Sequence, residues 1–363
     1  MIPRLGSLDW RNFLDRPRLP SPPLEALDAL YRQSILITGA GGTIGSALAQ
    51  RLAQIGPPSL LLLDWSESRL YELQQAWISS GLPGPMAPIL GSVTDRALLD
   101  EAFTTHGPRL IFHAAAFKHV ALMEEQPLAA IANNVFGTLN LTRAASATGA
   151  RVVMLSTDKA VEPASVMGAT KRIAEIIALA AGGTVLRLGN VLGSRDSVAE
   201  KFAQRIALGQ PLAITDPAAR RYFLTLDEAV NMLLIAAAEP GPALLAPEIA
   251  APTYIADLAH FMAESLAPGI NVELDFTSAR PGEKDPIHFW SAAELPRPSS
   301  QPGLLSIQSP PIENRALETS LVALRAALDA RDLHAALTHV CELVPDYTPG
   351  PGPLALNGHR VPS

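Results

Sequence analysis

Residues 35–45 read Ile-Leu-Ile-Thr-Gly-Ala-Gly-Gly-Thr-Ile-Gly, an apolar run that passes directly into closely spaced glycines. A helix-length amphipathic segment follows, over residues 44–55. Gly39 permits a tight turn after a strand, Gly42 lets the backbone approach a pyrophosphate, and Gly45 allows a helix to pack closely on the strand. The start of the helix favours an anion. The segment therefore predicts a strand, a phosphate-binding turn and a helix, as in a Rossmann fold.

An acidic residue at the end of the next predicted strand points to the cofactor. Asp64 follows the last glycine by about 20 residues, the usual distance in dinucleotide-binding units. A carboxylate there accepts hydrogen bonds from ribose hydroxyls and repels the 2′-phosphate of NADP. The sequence thus predicts NAD, while the nearby Arg69 leaves NADP open.

The rest of the first half alternates short apolar runs with helix-length segments. Strands are predicted at residues 35–38, 60–64, 87–90, 110–113, 152–156 and 184–188, and helices at 44–55, 67–79, 95–105, 127–148 and 167–181. This alternation is typical of an α/β, doubly wound parallel-sheet Rossmann fold, whose ligands bind beyond the carboxyl ends of the strands.

We divide the chain into six segments on composition and pattern. They are an N-terminal arm (1–32), an NAD-binding Rossmann core (33–190), a smaller C-terminal substrate-binding cap mixed with returning core elements (191–293), a Pro- and Ser-rich connector (294–314), a helical pair (315–345) and a flexible tail (346–363).

Composition excludes several classes of protein. The 363 residues are 48% hydrophobic and 17% charged, enough for a large core, so the chain is not disordered. A formal net charge of −7 argues against a non-specific nucleic-acid binder. The single cysteine, Cys341, excludes an intramolecular disulfide and a cysteine zinc cluster, and no metal site is predicted. The apolar runs are too short for a membrane span and no signal-peptide core is present, so a cytoplasmic protein is predicted.

Lysine is scarce in this chain. The 28 basic residues comprise 23 arginines and five lysines. Arginine cannot replace lysine where a compact or titratable amine is needed, so the lysines that remain are enriched in candidates for chemistry. They are Lys118, Lys159, Lys171, Lys201 and Lys284. We interpret Lys201, on an amphipathic stretch, as a solvated helix lysine.

Seven motifs in order resemble those of the polysaccharide-biosynthesis UDP-sugar dehydratases, within the extended short-chain dehydrogenase/reductase superfamily. The likeness covers nearly the whole chain. It is strongest to the catalytic half of the membrane-anchored UDP-N-acetylglucosamine 4,6-dehydratases, whose N-terminal transmembrane domain this sequence lacks. The motifs are Gly39-x-x-Gly42-x-x-Gly45, His113-Ala-Ala-Ala-Phe-Lys-His-Val120, Asn134-Val-Phe-Gly-Thr138, Ser156-Thr-Asp-Lys-Ala-Val161, Met167-Gly-Ala-Thr-Lys-Arg172, Gly189-Asn-Val-Leu-Gly-Ser-Arg195 and Arg280-Pro-Gly-Glu-Lys284.

The resemblance implies a lyase that dehydrates a UDP-N-acetylhexosamine in surface polysaccharide or glycan synthesis. A hydride leaves sugar C4 for NAD, water is lost from C5 and C6, and the hydride returns to C6, giving a UDP-4-keto-6-deoxy sugar. UDP-N-acetylglucosamine is the expected substrate. A C5-inverting dehydratase, an NAD-dependent UDP-sugar epimerase and a non-catalytic dinucleotide-binding protein remain alternatives.

The catalytic residues follow from the same likeness. Asp158 is the expected acid for the C6 hydroxyl and Lys159 the expected C5 base, with Thr157 near the C4 oxygen. Met167 stands where most of the superfamily has a tyrosine base, so another group must take the C4 proton, and Asp158 acting through Thr157 or water is the first choice. Lys171, one helical turn later, is expected to hold the nicotinamide ribose.

The resemblance also assigns binding residues. For NAD they are Gly39, Gly42, Thr43, Ile44, Gly45, Asp64, Ser92, Val93, Ala114, Ala115, Asn134 and Lys171. Ser92 stands where the family often has an aspartate that contacts adenine. For the UDP-sugar they are Lys118, Asn190, Arg221, Arg280 and Glu283, although Arg220 makes the assignment of Arg221 ambiguous. A homo-oligomer is expected, with subunits packed through the helices at 127–148 and 167–181.

Overall fold

A computed structural model describes residues 5, 8–84, 86–270, 272–277, 282, 287–310 and 314–349. Its helices are α1 (Trp10–Leu14), α2 (Leu24–Tyr31), α3 (Thr43–Ile55), α4 (Glu67–Ser79), α5 (Arg96–His106), α6 (Val120–Glu125), α7 (Pro127–Ala130), α8 (Gly137–Thr148), α9 (Val166–Ala180), α10 (Val198–Ala207), α11 (Leu226–Ala236), α12 (Ile255–Leu266), α13 (Asn314–Asp329) and α14 (Leu333–Leu343). Its strands are β1 (Ser34–Thr38), β2 (Ser59–Asp64), β3 (Met86–Leu90), β4 (Leu110–His113), β5 (Arg151–Thr157), β6 (Thr184–Leu188), β7 (Asn190–Val191), β8 (Leu212–Ile214), β9 (Arg220–Arg221), β10 (Phe223–Leu224), β11 (Ala243–Pro247), β12 (Thr253–Tyr254), β13 (Leu274–Phe276), β14 (Leu295–Pro298) and β15 (Leu304–Gln308).

The main sheet has nine strands within the described ranges, in the order β14-β15-β11-β6-β5-β4-β1-β2-β3. The seven strands from β11 to β3 are parallel. At one edge β15 runs antiparallel to β11, and β14 runs antiparallel to β15. Strands β2 and β3 follow β1 on one side of it in the sheet, and β4, β5 and β6 follow on the other side of β1. This reversal opens a crevice beyond the carboxyl ends of β1 and β4. The predicted α/β, doubly wound Rossmann fold is confirmed.

Helices cover both faces of the sheet because successive residues of a strand point to opposite sides. In β1, Ile35 and Ile37 pack in one core with Leu52 of α3. Leu36 packs in a second core with Leu141 of α8 on the other face. A parallel strand buried on both faces is apolar throughout, which is why the strands could be predicted from sequence.

The predicted helix at 127–148 contains a change of helical pitch. It consists of α7, a π-helical turn over Ile131–Phe136, and α8. π-Helical turns are rare and occur often at functional sites. Here the turn contains Asn134, whose contacts with the loop after β4 are described below.

The prediction of a loose connector over 294–314 is wrong. Residues 295–298 and 304–308 form β14 and β15 of the main sheet. Leu304 and Ile307 are buried on the sheet, but polar neighbours interrupt the apolar pattern. The prolines at 296 and 298 are acceptable in β14 because it is an edge strand. In the predicted tail, Tyr347 is buried, and residues 350–363 lie outside the described residues.

The C-terminal helices cover one of the faces predicted to form a subunit contact. Leu321 and Leu324 of α13 and Val340 of α14 belong to one apolar cluster with Ile173 and Ile177 of α9. The guanidinium of Arg325 lies 3.6 Å from the ring centre of Phe136, in the π-helical turn. The chain therefore supplies an apolar partner for this helix layer itself. The homo-oligomer stays a prediction.

A smaller unit lies beyond the carboxyl ends of the central strands. Helices α10 and α12 pack with the β8–β13 pair around Phe202, Ile214, Leu258 and Met262. Phe13 of the N-terminal arm packs in this cluster, and Arg16 of the arm lies 2.8 Å from Glu228 of α11, a helix of the main core. No helix in the described part of the chain combines the length and the apolar character needed to cross a membrane.

Candidate active site

The turn after β1 has no room for a side chain at Gly39 or at Gly45. Gly39 has a φ of 71°, and a Cβ added to it would lie 2.7 Å from the backbone nitrogen of Ala115. A Cβ on Gly45 would lie 2.1 Å from the carbonyl oxygen of Gly39. Both positions therefore require glycine. Gly42 precedes α3, so Thr43 and Ile44 form the helix start that faces the crevice.

Asp64 fixes this turn to β2. Its Oδ2 accepts a hydrogen bond from the backbone N–H of Gly41 at 2.8 Å, and its Oδ1 accepts one from Ser66 at 2.9 Å. A carboxylate has about four acceptor positions, so two of them remain for hydroxyl donors. Gly41, which is not among the predicted NAD-binding residues, is thus part of the turn that Asp64 holds.

A buried histidine links β1, β4 and α8. The hydroxyl of Thr138 donates to the carbonyl of Asn134 at 2.7 Å, so it accepts from Nε2 of His113 at 2.9 Å. Nδ1 of His113 then accepts from the hydroxyl of Thr38 at 2.7 Å. Burial and the nearby charge of Lys171 lower the pKa of His113 to about 3, so the ring is neutral. His113 begins one of the sequence motifs, but the sequence alone indicated no role for it.

Asn134 binds the loop after β4. Its Oδ1 accepts from the backbone N–H of Phe117 at 2.8 Å, and its Nδ2 donates to the carbonyl of Phe117 at 3.0 Å and to the hydroxyl of Thr170 at 3.1 Å. Asn134 therefore holds the segment that contains Ala114 and Ala115 against α9. In the loop after β3, Val93 is buried and Ser92 hydrogen bonds to Thr94.

Three consecutive polar residues leave the carboxyl end of β5. Oδ1 of Asp158 accepts hydrogen bonds from the hydroxyl of Thr157 and from the ammonium of Lys159, both at 2.9 Å. Lys159 also donates to Oδ1 of Asn190 at 3.0 Å. The Asp158 side chain is fully buried, and its Oδ2 has no hydrogen-bond partner among the residues that the structure describes. A buried acceptor without a partner is costly, so this oxygen is a candidate to contact a ligand.

Helix α9 brings Lys171 beneath this segment. Its ammonium donates to the carbonyl of Leu155 at 2.7 Å. Burial lowers the pKa of Lys171 to about 8, while the charge of Glu175 acts to raise it. Met167 is 3% exposed and packs with Met123 in the apolar cluster of α9.

A cavity of about 430 Å³ lies between this segment and the cap. Asp158 and Lys159 of one motif, Asn190 of another and Arg221 of β9 all line it, so residues from three separate parts of the chain are brought together. Lys201 of α10 also lines it and is exposed, as predicted for a solvated helix lysine.

The remaining sugar-binding predictions fall on a segment only partly described. Arg280 and Glu283 lie outside the described residues. Gly282, between them, is described and lines the cavity.

The structure separates two adjacent arginines. Arg221 is 9% exposed and lines the cavity. Arg220 lies on the opposite side of β9, with its guanidinium 4.1 Å from the ring centre of Tyr254. Residues i and i+1 of a strand point to opposite faces, so only one of the pair can serve the cavity. Arg221, and not Arg220, therefore lies where a ligand in the cavity could contact it, and its role in sugar binding stays a prediction.

Residues 193–196, here called the strap, cross from the cap to the turn after β1. The backbone N–H of Arg195 donates to the hydroxyl of Thr43 at 3.2 Å, and its carbonyl accepts from the ammonium of Lys118 at 2.8 Å. Asp196 lies 3.5 Å from the imidazole of His119. Lys118, predicted as a sugar-binding residue, thus contacts the strap, and burial lowers its pKa.

Comparison with known proteins identifies the family. The model of a family described as "Polysaccharide biosynthesis protein" matches residues 35–304. The chain belongs to this family. It is 37% identical over 266 residues to the capsular polysaccharide biosynthesis protein CapD of Staphylococcus aureus, which covers 70% of the chain and 44% of CapD. It is 38% identical over 272 residues to the probable polysaccharide biosynthesis protein EpsC of Bacillus subtilis, a match that covers 72% of the chain and 45% of EpsC. The chain thus spans less than half the length of either relative.

Solved structures share the fold. Pen from Bacillus thuringiensis superposes with a TM-score of 0.71 at 28% identity, over 77% of the chain and 90% of Pen. MoeE5, solved in complex with UDP-glucuronic acid and NAD, superposes with a TM-score of 0.60 at 24% identity, over 71% of the chain and 88% of MoeE5. At this identity the second likeness concerns the fold alone.

Proposed function

We propose that this protein is an NAD-dependent UDP-sugar 4,6-dehydratase that converts UDP-N-acetylglucosamine to the UDP-4-keto-6-deoxy sugar for surface polysaccharide or glycan synthesis. One observation carries the proposal. The buried Asp158, whose Oδ2 has no hydrogen-bond partner in the described part of the chain, lies 2.9 Å from the Lys159 side-chain nitrogen at the wall of a cavity. Eliminating water from a sugar needs an acid for the leaving hydroxyl and a base for the neighbouring carbon, and this pair can supply both.

The crevice fits NAD. Gly42 precedes α3 without a capping side chain, so the first N–H groups of the helix can bind a pyrophosphate. Asp64 keeps acceptor positions for ribose hydroxyls, and its negative charge disfavours the 2′-phosphate of NADP. NAD, when bound, supplies the hydride acceptor and returns the hydride in the same cycle.

The cavity fits a nucleotide diphosphate on its cap side. Arg221 and Lys201 reach it from β9 and α10. A guanidinium forms paired hydrogen bonds with phosphate oxygens, and lysine adds a compact positive charge. The sugar of a UDP-sugar held there would extend toward Asn190 and Lys159.

Asp158, Thr157 and Lys159 can carry every proton of this reaction. The cycle starts from the Asp158 carboxylate and from the amine of Lys159 that forms once its ammonium has released a proton to solvent. As C4 is oxidised, its hydroxyl proton passes through the Thr157 hydroxyl to Asp158, a path along the 2.9 Å hydrogen bond between them. Met167 has no proton to exchange, so this path replaces the usual tyrosine.

Elimination and reduction then restore the starting state. Lys159 takes the C5 proton, and Asp158 gives its proton to the C6 hydroxyl, which leaves as water. After the hydride reaches C6, the Lys159 ammonium returns a proton to C5. The substrate has lost one water, Asp158 is again a carboxylate, and Lys159 is again an amine. Over the cycle there is no net uptake of protons from solvent.

Mass spectrometry in deuterated water tests the proposal. The purified protein is incubated with UDP-N-acetylglucosamine and no added cofactor. We expect loss of one water and gain of one deuterium, because the ammonium of Lys159 exchanges with solvent before it returns a proton to C5. Proton coupling constants of the product distinguish C5 retention from inversion.

Two variants and a substrate panel complete the test. Lys159→Met should keep NAD bound and lose dehydration, whereas Lys201→Met should weaken substrate binding with dehydration retained. An isomer of unchanged mass would indicate an epimerase instead. If NAD is bound and a panel of UDP-sugars stays intact, the protein is not a dehydratase.

A further inference from the structure

A carboxylate lies buried directly behind the catalytic segment. Glu175 of α9 is fully buried, and its Oε1 accepts a 2.6 Å hydrogen bond from the hydroxyl of Ser156. Ser156 is the residue before Thr157, so Glu175 is one side chain removed from the polar residues at the end of β5. The mechanism above gives Glu175 no part.

Glu175 belongs to a closed group of four charges. Arg187 of β6 is 0% exposed and lies between two carboxylates, 2.8 Å from Glu175 and 2.7 Å from Glu294. Arg172 lies 2.9 Å from Glu175 and 3.0 Å from Glu294. Burial alone would raise the pKa of Glu175, but Arg187, with Arg172 and Ser156, lowers it to about 2. Glu175 is therefore charged at every physiological pH.

The two carboxylates of this group differ in what else they contact. Glu294 accepts a hydrogen bond from the backbone N–H of Ser291 at 3.1 Å and has none to a residue of β5 in the described part of the chain. Glu175 holds Ser156 and lies one helical turn after Lys171, on the same face of α9. Lys171 in turn holds the carbonyl of Leu155 at 2.7 Å. One face of α9 thus hydrogen bonds to Leu155 and Ser156, the two residues of β5 just before Thr157.

The charge of Glu175 also acts on Lys171. Burial lowers the pKa of Lys171, and Glu175 is the group that opposes this. His113 of β4 also lies close enough to be affected by the charge of Lys171, and it is neutral. Without the carboxylate, the amine would lose its proton at lower pH and could no longer donate as an ammonium.

We propose that Glu175 is a positioning residue of the active site, which fixes the Thr157–Lys159 segment through Ser156 and keeps Lys171 an ammonium. The proposal depends on the proposed function only for its kinetic readout. A bond to a charged acceptor is short and strong, which suits it to holding the end of a strand in one place.

Glu175→Gln and Glu294→Gln form a matched pair for the test. Each removes one buried carboxylate from the same arginines, so both lower stability in urea unfolding. Only Glu175→Gln changes the group that holds Ser156 and faces Lys171. Because the chain has five lysines, ¹³C-labelled lysine ε-carbons give few enough NMR signals to follow Lys171 directly, with Lys171→Met for assignment.

We expect Glu175→Gln to lower the titration midpoint of Lys171 by about one pH unit, and Glu294→Gln to leave it within about 0.3 units. The fall of kcat/KM at alkaline pH should shift to lower pH together with the titration midpoint of Lys171. At neutral pH, kcat should fall about tenfold in Glu175→Gln with KM little changed, since the segment is displaced rather than the sugar-binding residues. Glu175→Asp, which keeps the charge, should restore the midpoint.

Equal midpoints and equal kcat values in the two glutamine variants would overturn the proposal and leave Glu175 a stability residue. The NMR titration needs no turnover. A shifted midpoint in a protein that dehydrates no UDP-sugar would therefore support this role of Glu175 and reject the dehydratase function.

Discussion

The ammonium of Lys118 and the carbonyl of Arg195 lie 2.8 Å apart, although the two residues are 77 positions apart in sequence. Lys118 belongs to the loop after β4. The N–H of the same Arg195 binds Thr43, which follows β1. Because β1 and β4 border the crevice of the Rossmann fold, the strap is tied to both of its edges. A dinucleotide in that crevice would lie beneath the strap.

Breaking this contact should loosen the cofactor. In Lys118→Met the carbonyl of Arg195 loses its charged donor, so we expect NAD to dissociate at least about tenfold faster, as a lost charged hydrogen bond of about 1.5–3 kcal/mol would allow. NAD remaining after gel filtration measures this. Arg195→Ala is the control, since the strap is held by its backbone. Equal NAD loss in both variants would mean that the strap does not retain the cofactor.

The two neighbouring arginines of β9 should differ sharply in kinetics. Arg221→Met removes a guanidinium from the cavity, and we expect KM for the UDP-sugar to rise by about 10- to 100-fold. Arg220→Met removes a side chain that packs on Tyr254, and KM should change less than about threefold. Steady-state kinetics of both variants measures the difference. A larger effect at Arg220 would reverse our assignment.

His113 should make the fold sensitive to acid. An unfolded histidine takes up a proton near pH 6.5, but His113 in the folded chain stays neutral down to about pH 3. Between these values the unfolded chain binds one more proton, so stability falls as the pH falls below 6.5, by about 1.4 kcal/mol per pH unit.

Urea unfolding at about pH 7 and about pH 5 measures this loss of stability. His113→Gln should be less stable at neutral pH but should lose less stability on acidification than the unmodified chain. His260→Gln, at an exposed position, should follow the unmodified chain. A pH dependence unchanged in His113→Gln would show that other groups dominate.

The C-terminal helices should be essential to stability. Leu324 is 0% exposed against the cluster of α9, whereas Val322 on the same helix is 70% exposed. An aspartate at Leu324 would be a buried charge without a partner, so Leu324→Asp should cost at least about 3 kcal/mol. Val322→Asp should stay within about 0.5 kcal/mol. Similar unfolding free energies in the two variants would mean that α13 is not packed as described.

The elements that sequence predicted well are those with local signals. Buried parallel strands such as β1 are apolar throughout, and the glycines that follow it have a fixed spacing. The edge strands β14 and β15 were missed because alternating polar residues and prolines imitate a loop. The π-helical turn was missed because its sequence also suits an α-helix.

The site was predictable only where a motif names its residues. Thr157, Asp158 and Lys159 are consecutive, so they could be read together. The choice of Arg221 over Arg220 depends on the face of a short strand, which one sequence does not reveal. The partners of Glu175 come from β5, β6 and residue 294, and such long-range contacts leave no local pattern.

The order of the elements along the chain has a consequence for synthesis. Glu294, β15 and the helices α13 and α14 are made after every residue of the Thr157–Lys171 region that they enclose. A nascent chain that ends near residue 290 contains Lys159 and Lys171, but α9 still lacks the helices that cover it, and Arg187 lacks one of its carboxylates. An exposed apolar helix and a half-paired buried charge favour an open, unfinished state on the ribosome. The Thr157–Lys171 region therefore reaches its fully packed state only after the residues up to Leu343 have been synthesised.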